Sequence, residues 1–193
     1  VKLTEYAQKL TYHVINLSGK EATSVGEFYV AGNPCDLNSI VKSPFATNYK
    51  YYKAEDVTVA DGTITVKEGA QPITTVPENA TDIYVTYEYD TANTPRINIQ
   101  GRNGTILYNI KANNQYLSTD GTNLTVVSDA SNSKNSIWVI ECNMVDGMPD
   151  PYDAHIYSWG NCDNYLGGET TLALTGKASS TSFILGRGTS NSL

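Results

Sequence analysis

A repeat in the second half of the chain restricts its fold more than any other feature. Tyr108 and Tyr116 stand eight residues apart, with Leu117 behind the second; Tyr157 and Tyr165 repeat that spacing, with Leu166 behind. The two copies are offset by 49 residues (108 to 157, 116 to 165). A turn and a short apolar stretch follow in each: Asp120-Gly121 then 124–127, and Gly167-Gly168 then 171–174. Each copy next crosses a Ser-rich loop, 128–135 or 176–180, and closes on an apolar triplet opening with an aromatic, Trp138-Val139-Ile140 or Phe183-Ile184-Leu185. Each copy reads as short strands whose apolar face cannot be buried alone, so the two are expected to share one core.

The first half carries a different pattern. An apolar-rich strand is expected over 10–17, ended by the turn Ser18-Gly19-Lys20. A second extended stretch covers 27–30 and is interrupted by Gly32-Asn33-Pro34. Residues 35–41 are expected to form one or two helical turns, with Leu37, Ile40 and Val41 on one face and Pro44 ending them. Residues 48–53 bring Tyr49, Tyr51 and Tyr52 into one strand. Asp61-Gly62 between 57–59 and 63–66 is the strongest short-range hairpin signal in the chain. Over 83–89, Ile83, Val85, Tyr87 and Tyr89 alternate with Tyr84, Thr86 and Glu88, the period of a half-buried strand. Between the halves lies Thr91-Ala92-Asn93-Thr94-Pro95, in which proline pushes Thr94 towards extended backbone. The expected organisation is therefore mainly β, with modules at 1–90 and 96–193.

Composition removes several function classes. There are 13 basic and 20 acidic residues, giving a net charge of -7. Nucleic-acid binding needs a basic footprint, and the chain has none. No apolar run approaches the roughly 20 residues of a membrane span. Tyr outnumbers Phe by 14 to 3, so many rings carry a hydroxyl. The chain opens at Val1 without Met and is expected to be a processed or excised piece. Cys35, Cys142 and Cys162 are too sparse for a disulfide framework. Three reduced thiols are expected, with a Cys142–Cys162 bridge as the alternative.

The sequence carries no recognisable catalytic constellation. His13 and His155 sit within strand patterns, and Cys162 near His155 lacks an orienting third group. The carboxylate pairs Glu55-Asp56, Asp150 with Asp153, and Asp163 with Glu169 fall in expected turns, where a solvated role is favoured over glycoside hydrolysis. Gly186-Arg187-Gly188 lacks the helix and Lys of a phosphate loop. The segment 146–153 is read as an acidic surface loop joining the two copies. Its Asp146, Asp150 and Asp153 are candidate calcium ligands, although their spacing is not that of an EF-hand. Four Asn-x-Ser/Thr triplets, at Asn16, Asn79, Asn103 and Asn123, are what an Asn- and Thr-rich chain produces by chance.

The positive signal is for a sugar. Carbohydrate sites pair a ring that stacks on the sugar with side chains that read its hydroxyls. Residues 157–164 hold Tyr157, Trp159, Asn161, Asp163 and Asn164, with Trp159 as anchor and Asp163 as hydroxyl acceptor. The opposing reading packs Trp159 over the end of the module. The matching loop of the first copy, Lys111-Ala112-Asn113-Asn114, has no aromatic, so a single site is expected.

The segments Tyr108-Asn109-Ile110, Gln115-Tyr116-Leu117 and Ser136-Ile137-Trp138 resemble one lobe of a ricin-type β-trefoil. The segments His155-Ile156-Tyr157, Tyr165-Leu166-Gly167 and Thr181-Ser182-Phe183 resemble another. The family's Gln-x-Trp signature lacks its Gln in both copies, and two lobes are present where the family has three. In the first module, Tyr12-His13-Val14-Ile15, Tyr49-Lys50-Tyr51-Tyr52 and Ile83-Tyr84-Val85-Thr86-Tyr87 resemble repeat modules of bacterial surface proteins, of mucin-binding type with a β-grasp-like core; a sandwich is the alternative. These resemblances imply a cell-surface or secreted fragment with no cofactor. The expected role is non-catalytic adhesion or display with weak glycan binding. Its partners would be a glycan or host surface glycoprotein and further modules of the same polypeptide. A structural spacer and an accessory carbohydrate-binding region of a secreted hydrolase are the alternatives.

Overall fold

The computed structural model describes residues 8–37, 41–92, 106–130, 133–168 and 170–185. The chain is mainly β-sheet and falls into two compact units, Val1–Thr91 and Ala92–Leu193. Among the described residues the helical elements are three short 3-10 turns.

In the first unit β1 (Gln8–Ile15) and β2 (Glu21–Tyr29) form an antiparallel hairpin. A long crossing leads to β3 (Ala46–Lys53), then to the paired β4 (Val57–Ala60) and β5 (Thr63–Val66), and β6 (Asp82–Tyr89) closes the unit. The main sheet has the order β2-β1-β6-β3, with β1 and β6 parallel and the outer pairs antiparallel. Alternation sets its faces. Leu10, Tyr12 and Val14 share one buried face with Ile83, Val85 and Tyr87. The rings of Tyr29 and Tyr51 stand edge-on to Tyr12, at 5.5 and 5.8 Å. Leu37 N–H donates to Tyr51 Oη at 3.0 Å, which pins the crossing segment to this face. A second cluster of Ile15, Tyr52, Val57 and Ile64 docks the β4–β5 hairpin. Its turn is the expected Asp61-Gly62, at φ 49° and 69°, the left-handed pair that a two-residue hairpin requires.

Two expectations for this unit need correction. The strand expected over 27–30 begins at Glu21, because β2 is an edge strand whose alternation mixes half-buried Thr23 and Val25 with exposed Glu21 and Ser24. The helical turns expected over 35–41 do not form at residues 35–37. Cys35 N–H instead donates to Thr74 O at 2.8 Å, and residues 38–40 lie outside those described.

The second unit repeats one connectivity. In the first copy Tyr108 bridges Trp138 through two backbone bonds of 2.9 Å. Between them run β7 (Lys111–Ala112), β8 (Gln115–Thr119) and β9 (Leu124–Val127) in a meander, then a 3-10 turn at Lys134–Ser136 and the start of β10 (Trp138–Val145). The second copy runs through β11 (Met148–Ser158), β12 (Tyr165–Gly167), β13 (Ala173–Thr175) and a 3-10 turn at Lys177–Ser179. Phe183 then bridges back to Ala154 at 2.7 and 3.1 Å. In both copies the closing segment returns to the opening one, and the pairing of β10 with β11 joins the copies.

The two closing aromatics differ for a reason visible at the equivalent leucines. Leu117 O accepts Trp138 Nε1–H at 3.0 Å. Leu166 O accepts the backbone N–H of Thr181 at 3.0 Å, so Phe183 needs no donor of its own. Trp138 is fully buried and Phe183 half-buried.

The acidic surface loop expected at 146–153 is instead a hairpin turn and half a strand. Asp146 and Gly147 take φ 52° and 79°, the same turn chemistry as Asp61-Gly62. Pro149 and Pro151 are tolerated because the ladder is irregular there: Cys142 pairs with Ala154 and Met144 with Pro149, so residues 150–153 stand opposite Asn143 alone. Asp150 and Tyr152 are fully buried.

Candidate functional site

The loop after β11 carries the residues expected to read a sugar. Ser158 N–H donates to Asn164 O at 2.8 Å, and Asn164 N–H to Asn161 O at 3.0 Å. Asn161 Oδ1 accepts the Asp163 N–H at 3.2 Å, and Asn164 Nδ2 donates to Gly121 O in the first copy at 3.0 Å. The loop is thus held by its own amides, and Asn161 Oδ1 and Asn164 Nδ2 are committed to shaping it. Tyr157 is a correction: it is only 2 % exposed and forms a core cluster with Val139 and Tyr165, because it falls on the inward side of β11. Trp159 is half-buried, with one side packed on that cluster beside Cys162. Asp163 is exposed. What remains at the surface is half of an indole and a carboxylate on a braced loop.

The carboxylates suggested for calcium separate. Asp146 is exposed at the hairpin turn, Asp150 is buried with Oδ1 accepting Tyr152 N–H at 3.0 Å, and Asp153 turns to other partners. Among the described residues no three His, Cys, Asp or Glu side chains gather to hold a metal ion. All three cysteines are free thiols. Burial, then the charges of Asp150, Asp153 and Glu141, push the Cys142 thiol up to about 12, which keeps it protonated and inert.

Both histidines have acidic partners. His13 Nδ1 lies 2.5 Å from Glu21 Oε2 on β2, and Nε2 lies 2.8 Å from Asp82 Oδ1 on β6. Its ring stacks on Tyr84 with centroids 4.9 Å apart. Nearby, Lys53, Glu55, Glu78, Asn79 and Asp82 line a polar hollow of about 260 Å³. His155 is placed between Asp153 and Ser180. Its Nε2 is 3.2 Å from Asp153 Oδ1, and its Nδ1 is 2.7 Å from Ser180 Oγ. The Asp153 carboxyl is held down to about 2 by hydrogen bonds from His155, Asn143 and Ser182, against the opposing effect of burial. Asn143 Nδ2 donates at 2.6 Å and Ser182 Oγ at 2.8 Å. Asp153 and His155 are two apart on β11, a spacing that strand periodicity makes visible. Ser180 reaches them only through the fold.

No family model, curated protein or solved structure matches the chain.

Proposed function

We propose that the chain is a non-catalytic adhesion or display segment of a bacterial surface protein, lying outside the cell and recognising a glycan or host glycoprotein weakly at the 158–164 loop. The observation that carries this reading is the braced loop itself. Asn161 braces it from within and Asn164 ties it to Gly121 of the first copy, so Trp159 and Asp163 are held in place before a ligand arrives, which lowers the ordering cost of binding. A half-exposed indole offers a sugar an apolar face, and the neighbouring carboxylate accepts from its hydroxyls.

The strand order β2-β1-β6-β3 with a parallel central pair supports a β-grasp-like first module. The return of each closing segment to its opening strand supports two lobes of a β-trefoil-like second module. The packing of Trp159 against Val139, Tyr157 and Tyr165 favours a second reading, a spacer in which the indole only seals the module. A glycan array with the intact protein and with Trp159→Ala separates the two. Loss of an anchor worth roughly 2 kcal/mol weakens binding about thirtyfold. Identical binding by the variant, or no binding by either protein, leaves the spacer.

A further inference from the structure

Asp153, His155 and Ser180 form a continuous hydrogen-bonded chain on the second unit, apart from the 158–164 loop. We propose that Ser180 is an acyl-accepting nucleophile, activated by His155 and aligned by Asp153, that takes one acyl group from an activated ester or thioester. This goes beyond the adhesion reading and does not depend on it.

Three features carry the proposal. First, Asp153 is a fixed anion. Asn143 and Ser182 donate to it from separate elements, and its side chain is only 15 % exposed. A carboxylate facing Nε2 places the ring proton on that nitrogen, so Nδ1 turns its lone pair towards Ser180 Oγ at 2.7 Å. Second, the hydroxyl is poised between two acceptors, because Ser180 Oγ also lies 2.7 Å from Lys177 O. Rotation of one hydroxyl proton from the carbonyl to Nδ1 converts a turn-stabilising serine into a base-assisted one. Third, the buried and exposed ends are ordered for chemistry. His155 is 15 % exposed, while Ser180 stands half-buried at the surface after the 177–179 turn, bridged to Gly167. Lys177, the ammonium of this turn, is already paired with Glu141 at 3.0 Å, so a neutral carbonyl suits the surroundings better than a phosphoryl group.

In the reaction Ser180 Oγ bonds to the acyl carbon while its proton passes to His155 Nδ1. The bond from the acyl carbon to the leaving oxygen or sulfur breaks with its electron pair, and the leaving group takes the proton from Nδ1. The products are an ester on Ser180 and a free alcohol or thiol. Ser180 and His155 are the reacting groups, and Asp153 is a positioning residue.

The test treats the intact protein with p-nitrophenyl acetate and maps acetylation by peptide mass spectrometry. One equivalent of nitrophenolate and one acetyl group on Ser180 are expected, at a rate that rises with pH along a single-proton titration. Ser180→Ala removes that label. His155→Gln slows it about a hundredfold or more, the usual worth of a positioned base. Asp153→Asn slows it and displaces the pH profile, which a purely structural role would not do. Unfolding the wild-type protein in urea abolishes the preference for Ser180, a control that needs no variant to fold. Labelling of Ser180 no faster than that of other exposed serines, or unchanged in folded His155→Gln, overturns the proposal.

Discussion

Trp138 closes the first repeat copy both as apolar volume and as a donor to Leu117 O. The two contributions separate by substitution. Trp138→Phe keeps most of the volume and takes the donor from the part-buried Leu117 carbonyl, at about 1 kcal/mol. Trp138→Ala also opens a cavity and should cost about 3–5 kcal/mol. Denaturant unfolding followed through the second unit checks both, and a negligible cost for Trp138→Phe would show that the indole N–H contributes nothing. Asp153 offers a test in pH. Its carboxyl is depressed to about 2, so its stabilisation is complete above the unfolded value near 4 and is lost as pH falls through about 2. The shift corresponds to about 2 kcal/mol. Asp153→Asn should therefore be less stable than wild type at neutral pH, with the gap closing over that acid window in thermal melts.

Among the elements, β12 is buried along its whole length. A Cβ on Gly167 would meet Thr175 Cγ2 at 2.4 Å and Ser179 O at 2.8 Å, and the latter is backbone that cannot yield cheaply. Gly167→Ala should then destabilise the second unit by about 1–3 kcal/mol as an overpacking change. The equivalent residue of the first copy, Ser118, is buried and accepts from Ser136 Oγ at 3.0 Å, so that copy has room for a side chain. Elements whose signal is local were legible in the sequence: the Asp61-Gly62 hairpin, the alternation of β6 and the 49-residue offset. Others were hidden by chemistry that imitates something else. Two prolines made β11 look like a loop, although Asp146-Gly147 carried the same turn signal as Asp61-Gly62. The polar outer face of β2 obscured its first half. The candidate sugar loop was legible as a set of residues, but the inward side of β11 claimed Tyr157. The pairing of His155 with Ser180 was not legible, because the two meet only where a closing segment returns to its opening strand.

At the scale of the whole molecule, the two units should behave as separate cooperative blocks. Limited proteolysis is expected to cut near the Thr91–Pro95 stretch and leave two resistant pieces, and calorimetry should resolve two transitions. A single transition shared by both units would contradict this. The parallel pairing of β1 with β6, from Thr11 opposite Asp82 to Val14 opposite Val85, has a mechanical consequence. Among the described residues these are the first and last strands of the unit, side by side and pointing the same way. Tension applied through the chain ends drags them past each other along their length, so the cross-strand bonds bear the load together in shear. Pulling instead on residues 8 and 29 would peel β1 from β2 one bond at a time, like a zip. Single-molecule stretching should show a higher rupture force for attachment at residues 8 and 89 than at 8 and 29. A unit strung between an anchor and a bound surface would then be strongest along the direction in which it is pulled.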